Sequence, residues 1–148
     1  MNLENTELDL LKLIYRETGG RQKKYFSVDA LSRVCALSSD DFNRYLLRLC
    51  ESGYVEVKPF KMGRITHEGI LVCEEGEVTP RVDLRKRVLD EIRNLTGGDS
   101  EVFLNIDALA AELNLMRYEL FDVLNYLENE GYVKIHSRIS ISLNENES

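Results

Sequence analysis

The chain has 148 residues, 43% hydrophobic and 30% charged, which gives it enough apolar side chain to bury cores and excludes a disordered chain. Its formal net charge of −7 is the wrong sign for non-specific attraction to a polyanion, because Lys and Arg supply that affinity. The start MNLENTELD lacks a basic, apolar leader, and the longest apolar runs fall far short of a membrane span, so a cytoplasmic protein with no membrane partner is expected.

In chain order, Leu8, Leu10, Leu11, Ile14 and Tyr15 recur at helical spacing, and Gly19-Gly20 ends that first helix. Tyr25-Phe26 is a short extended piece. Ser27 can cap a second helix from Val28 to Cys35, with Asp29 in its first turn, where the helix dipole favours an anion. After a tight turn at Ala36-Leu37, Ser38 can cap a third helix, with Asp41 placed as in a capping box. Phe42, Leu46 and Leu49 give that helix an apolar stripe, and Gly53 stops it. Tyr54 to Val57 alternates as a strand, Pro59 to Gly63 breaks it, and Arg64-Ile65-Thr66 returns as a hairpin partner. His67 to Glu75 makes a short helix.

The same order then repeats. Gly76 to Pro80 is the expected linker, since Pro80 excludes a helix running through it. Helices follow at about Asp83–Leu95, Ile106–Leu113 and Met116–Glu130, with extended Val102-Phe103-Leu104 between the first two. Tyr132–His136 and Ile139–Leu143 form two short strands. Shifting the sequence by 78 residues aligns the halves without a gap, with 14 identities over the 48 positions from Leu11 to Lys58. Thr18-Gly19-Gly20 falls on Thr96-Gly97-Gly98, Asp29-Ala30-Leu31 on Asp107-Ala108-Leu109, and Gly53-Tyr54-Val55 on Gly131-Tyr132-Val133. Most of the identities lie at apolar or glycine positions, where a shared fold demands the same residue type. The expected architecture is mainly α with small β-hairpins, in two domains, 1–77 and 78–148.

Three scattered cysteines, Cys35, Cys50 and Cys73, and two lone histidines, His67 and His136, give no metal-ligand spacing. Free thiols and no metal or cofactor are expected. No phosphate loop or nucleophile motif stands out, so no enzymatic activity is expected.

Helix, short strand, helix, tight turn, helix and hairpin is the order of a winged helix-turn-helix. The strings VDALSRVCALSSDDFNRYLLRLCESGYVEV and IDALAAELNLMRYELFDVLNYLENEGYVKI resemble the second-helix, recognition-helix and wing segments of that superfamily. GRITHEGI is similar to the end of the wing in prokaryotic transcription regulators, archaeal ones among them. The resemblance covers nearly the whole chain, twice. It implies tandem winged-helix domains; function must be argued from the site.

If the first domain resembles a DNA-binding winged helix, its third helix enters the major groove by its N-terminal end. Ser38, Ser39, Asn43 and Arg44 are then the candidates there, followed a turn later by Leu47 and Arg48. Asn and Arg can read base edges, and the serines can hold phosphate. Asp40 and Asp41 compete with a phosphate for the same helix start; alternatively they only cap it, with Arg44 and Arg48 available to pair them. Arg21, Lys23 and Lys24 form a basic run before the first strand. Lys58, Lys61 and Arg64 sit in the wing, with no acid expected among them.

The second domain differs. Residues 1–75 hold 11 Lys+Arg against 12 Asp+Glu, and residues 76–148 hold 8 against 14. Its third helix carries Tyr118, Phe121 and Tyr126 beside Leu120, Val123, Leu124 and Leu127. That aromatic surplus places Tyr118 and Phe121 at a protein interface, either with the first domain, with a second copy or with another protein. Two functions are therefore weighed. One is a transcription regulator contacting duplex DNA through the first domain, as the basic clusters suggest. The other is a non-enzymatic assembly subunit, as the negative charge suggests.

Overall fold

A computed structural model describes residues 5–77 and 79–145. The chain divides into two compact units, Met1–Glu77 and Val78–Ser148. Val78, in the expected linker, lies outside the described residues.

The first unit runs α1 (Asn5–Thr18), β1 (Phe26–Ser27), α2 (Val28–Val34), α3 (Ser39–Glu51), β2 (Val55–Lys58), β3 (Met62–Ile65) and α4 (His67–Glu74), with one 3₁₀ turn at Pro59–Lys61. Its helices start where the sequence supplies oxygen caps. Ser27 accepts from the Ala30 amide at 3.2 Å, and Ser38 from the Asp41 amide at 3.2 Å. The 3.6-residue spacing of α1 buries Leu10, Leu11 and Ile14 against Phe42, Leu46 and Leu49 of α3. Each fully buried side chain of this kind contributes about 1.5–3 kcal/mol. Helix α4 joins the same core through Ile70, and Tyr15 of α1 donates to the buried Glu74 carboxylate at 2.5 Å.

The sheet exceeds the expected hairpin. Besides β2, strand β3 pairs with the two-residue β1, in the order β1-β3-β2. Glycine at position 63 admits that third strand: a Cβ there would lie 2.4 Å from the Phe26 ring. The buried ring lies over the glycine and closes the sheet onto the helices.

The second unit runs α5 (Pro80–Thr96), β4 (Leu104–Asn105), α6 (Ile106–Leu113), α7 (Arg117–Asn129), β5 (Val133–Ile135) and β6 (Ser140–Leu143). Its sheet order is β4-β6-β5. Pro80 does not merely interrupt the chain; it opens α5 at the first helical position, behind a Thr79 cap. Its missing N–H has no intrahelical partner there to lose. Gly97, at φ +65°, closes α5 in the left-handed conformation that favours glycine. The core joins Val88, Leu89 and Ile92 of α5 to Leu120, Val123, Leu124 and Leu127 of α7, over Val133, Ile141 and Leu143.

Each unit thus has the element order and small three-stranded sheet of a winged helix. The registers also correspond: Phe26↔Gly63 and Val55↔Ile65 in the first unit, Leu104↔Ile141 and Val133↔Leu143 in the second. Each pair is displaced by 78 positions. Among the described residues, no helix is long and apolar enough to cross a membrane.

Candidate nucleic-acid interface

Helix α3 buries Phe42, Leu46 and Leu49, so its periodicity turns Ser39, Asp40, Asn43, Arg44 and Leu47 to solvent. The face expected to meet a groove is therefore open. Its charges are partly matched from within. Arg44 Nη2 lies 3.0 Å from Asp41 Oδ1, and its guanidinium lies 5.0 Å from the centre of the Tyr45 ring. Ser38 spends its oxygen on the cap. Arg48 reaches back to the buried Glu7 carboxylate of α1 at 3.0 Å, which anchors α3.

The wing is also compensated, contrary to the expectation that its cations stand without an acid. Glu56 of β2 takes Lys58 at 2.5 Å and Arg64 at 2.9 Å. The Lys58 and Arg64 hydrogen bonds hold the Glu56 carboxyl below its ordinary range. Lys61 lies 3.3 Å from Asp29 in the first turn of α2. Sequence spacing could have suggested the first pairing, since positions 56 and 58 share a strand face. The second depends on the tertiary fold. These pairs lie at the surface, where solvent screens them.

The topology separates Lys58 and Lys61 of the wing from the basic run at 21–24, whereas Arg64, next to Gly63, lies toward that run. Phe26 lies opposite Gly63 and Ser27 opposite Met62, so the chain before Phe26 departs away from the hairpin turn. Lys23 and Lys24 are exposed and Arg21 half-buried on that departing loop. The wing tip instead meets the start of α2 through Lys61 and Asp29.

One residue at the tip was not singled out from sequence. Phe60 is 97% exposed and left-handed, at φ 65° and ψ 25°. The available signal was an aromatic set between a proline and a lysine in a turn.

In the second unit, Phe121 and Tyr126 are half-buried and pack against their own core. The Arg117 guanidinium lies 5.0 Å from the centre of the Phe121 ring, and that of buried Arg85 3.7 Å from the Tyr126 ring. Much of the aromatic surplus on α7 is thereby used inside the unit. Tyr118 and Met116 remain 50% and 61% exposed. Arg117 also pairs with Asp107 and donates to the Arg138 carbonyl, tying α7 to the second hairpin. His136 stacks on Phe103 at 4.2 Å and meets Ser142 Oγ at 2.7 Å. Ser142 is only 2% exposed, so this pair suits anchoring of the ring better than nucleophilic attack.

No family model matches the sequence, and no curated protein matches it. Among solved structures, the chain is similar to the mRNA-binding domain of elongation factor SelB from E. coli, determined in complex with SECIS RNA. The TM-score is 0.40 at 10% identity, over 96% of this chain and 100% of that one. At that overlap the likeness carries no inference about fold or role.

Proposed function

We propose that the chain is a non-enzymatic transcription regulator built from tandem winged-helix domains, and that its first unit binds duplex DNA. The observation that carries this reading is the open face of α3, where Asn43 and Arg44 stand exposed with the bulk of the helix anchored behind them. In this reading Asn43 and Arg44 reach base edges in the major groove, Ser39 holds a phosphate, and Ser38 fixes the helix start. Lys58, Lys61 and Arg64 exchange carboxylate for phosphate, and Lys23 and Lys24, with Arg21, give a separate backbone contact. The second unit, with 8 Lys+Arg against 14 Asp+Glu from residue 76 onward, stays off the duplex.

Fluorescence anisotropy with genomic duplex fragments, at low and moderate salt, tests this. Arg44→Ala should cost about 1–3 kcal/mol and relax specificity at one position. Removing the three wing cations should weaken binding evenly across sequences and flatten the salt slope by about 0.9 for each phosphate no longer neutralised. Residues 1–77 should carry the affinity, and residues 79–148 should bind no DNA. Absence of binding by the full chain at low salt would sink the regulator reading.

The assembly-subunit reading then takes its place. The exposure of Tyr118 on α7 and of Met116 at its N-cap favours a protein contact there, with a partner or a second copy. A self-association contact predicts that Tyr118→Ser lowers the mass in sedimentation without loss of helix content. An unchanged mass would rule out that form of it.

A further inference from the structure

The wing carries an aromatic where turn chemistry argues against one. Phe60 and Lys61 adopt φ of 65° and 55°, a region that bulky L-residues avoid and that turns ordinarily fill with glycine or asparagine. Phe60 is also 97% exposed, so neither packing nor backbone preference accounts for its presence. Strain of this kind, held in place by surrounding structure, clusters at binding and switch positions and makes the side chain a functional candidate. Pro59 fixes the approach to the turn, and the β2–β3 ladder holds its base through Lys58↔Met62.

The surroundings indicate a polyanion as the occupant. The hairpin from Val55 to Ile65 carries three cations, Lys58, Lys61 and Arg64, against the carboxylate of Glu56 and, from α2, that of Asp29, a local excess of positive charge in a chain whose formal charge is −7. Lys58 and Lys61 lie on either side of the ring in sequence, with side chains 46% and 70% exposed. A solitary ring at the end of a narrow hairpin is not the broad aromatic platform on which single strands are laid. It has the form of a wedge. Apolar side chains of this kind enter the minor groove, pry open a single base step and kink the duplex, while flanking cations neutralise the phosphates.

We propose that Phe60 is a minor-groove wedge that unstacks and bends duplex DNA, with Lys58 and Lys61 clamping the phosphates beside it. This rests on the DNA reading of the first unit. It adds a prediction that reading lacks: the wing should select deformable sequence, favouring pyrimidine–purine steps such as TA, without hydrogen bonds to base edges.

The test uses the full chain and a duplex of about 30 base pairs, the length over which protein-induced bends are measured. The duplex carries a central TA step, 2-aminopurine beside it, and a fluorophore at each end. Binding should raise the 2-aminopurine emission and bring the ends closer. Phe60→Ala should abolish both signals and weaken binding about tenfold. Phe60→Leu, which keeps an apolar wedge, should retain most of both. Lys58→Ala with Lys61→Ala should weaken binding while leaving the emission change at saturation. A Phe60→Ala protein that still binds, unstacks and bends like the parent overturns the wedge alone. So does a Phe60→Ala effect confined to single-stranded RNA or to self-association. A parent chain that binds no duplex at low salt overturns the regulator reading and the wedge with it.

Discussion

Cys73 shows how one buried atom ties stability to pH. It lies on α4, 5% exposed, and burial pushes its thiol from the ordinary 9.0 up to about 12. Below pH 9 the folded and unfolded chains both keep the proton, so the thiol's full contribution to stability is present. Above pH 9 the unfolded chain ionises first, and stability falls until the folded thiol also ionises near pH 12. The loss should approach about 1.4 kcal/mol per pH unit in that window. Urea titrations at several pH values should show this slope in the parent and a shallower one in Cys73→Ala. Equal slopes would show that other groups govern the alkaline limb.

The helices were legible in the sequence because they obey local rules. Ser27 and Ser38 cap where a serine precedes an apolar run, and Phe42, Leu46 and Leu49 are buried at the spacing that announced them. The short extended piece at Tyr25-Phe26 was legible but its place in the sheet was not, since the two residues of β1 carry no periodicity and pair only because Gly63 leaves room for Phe26. The wing's charge balance was hidden for a related reason: Lys61 meets an aspartate 32 positions away. The open face of α3 follows from its period, whereas the exposure of Phe60 depends on a backbone conformation that composition does not announce. The Phe26–Gly63 contact gives the clearest test at this scale. Gly63→Ala should destabilise the first unit by about 1–3 kcal/mol through overpacking against the ring. Adding Phe26→Leu should recover some of that stability in urea unfolding, and a neutral Gly63→Ala would show that the ring has room to move.

Across the molecule, the two units use one plan with different chemistry on it. Positions 43 and 44 of α3 are Asn and Arg; their counterparts on α7, 78 residues on, are Phe121 and Asp122. Phe121 packs against its own core and Asp122 is buried, so these two outward positions of the first unit are drawn inward in the second. The tip at Phe60 corresponds to Arg138, whose carbonyl Arg117 holds. The acidic excess beyond residue 76 raises the electrostatic cost of bringing the chain to a polyanion. Binding by the whole protein should therefore be weaker than by residues 1–77 at low salt, with the gap closing as salt screens it.

Two sheets of one register pose a sorting problem while the chain is still folding, because the backbone of either unit's edge strand suits either sheet. Side-chain volume tells the pairings apart. Phe26 faces Gly63, whereas Leu104 faces Ile141. A β1 segment straying onto β6 would drive a phenyl ring into isoleucine, and β4 on β3 would leave a void above the glycine. Either mistake forfeits about 1–3 kcal/mol, enough to favour the correct partner while pairing remains reversible. Phe26→Leu together with Gly63→Ile gives this pair of the first sheet the side chains of its counterpart in the second and erases that discrimination. Refolded from urea, this variant should yield less native protein than the parent, with misassembled species separable by size. An equal yield would show that connectivity alone keeps the strands with their own sheets.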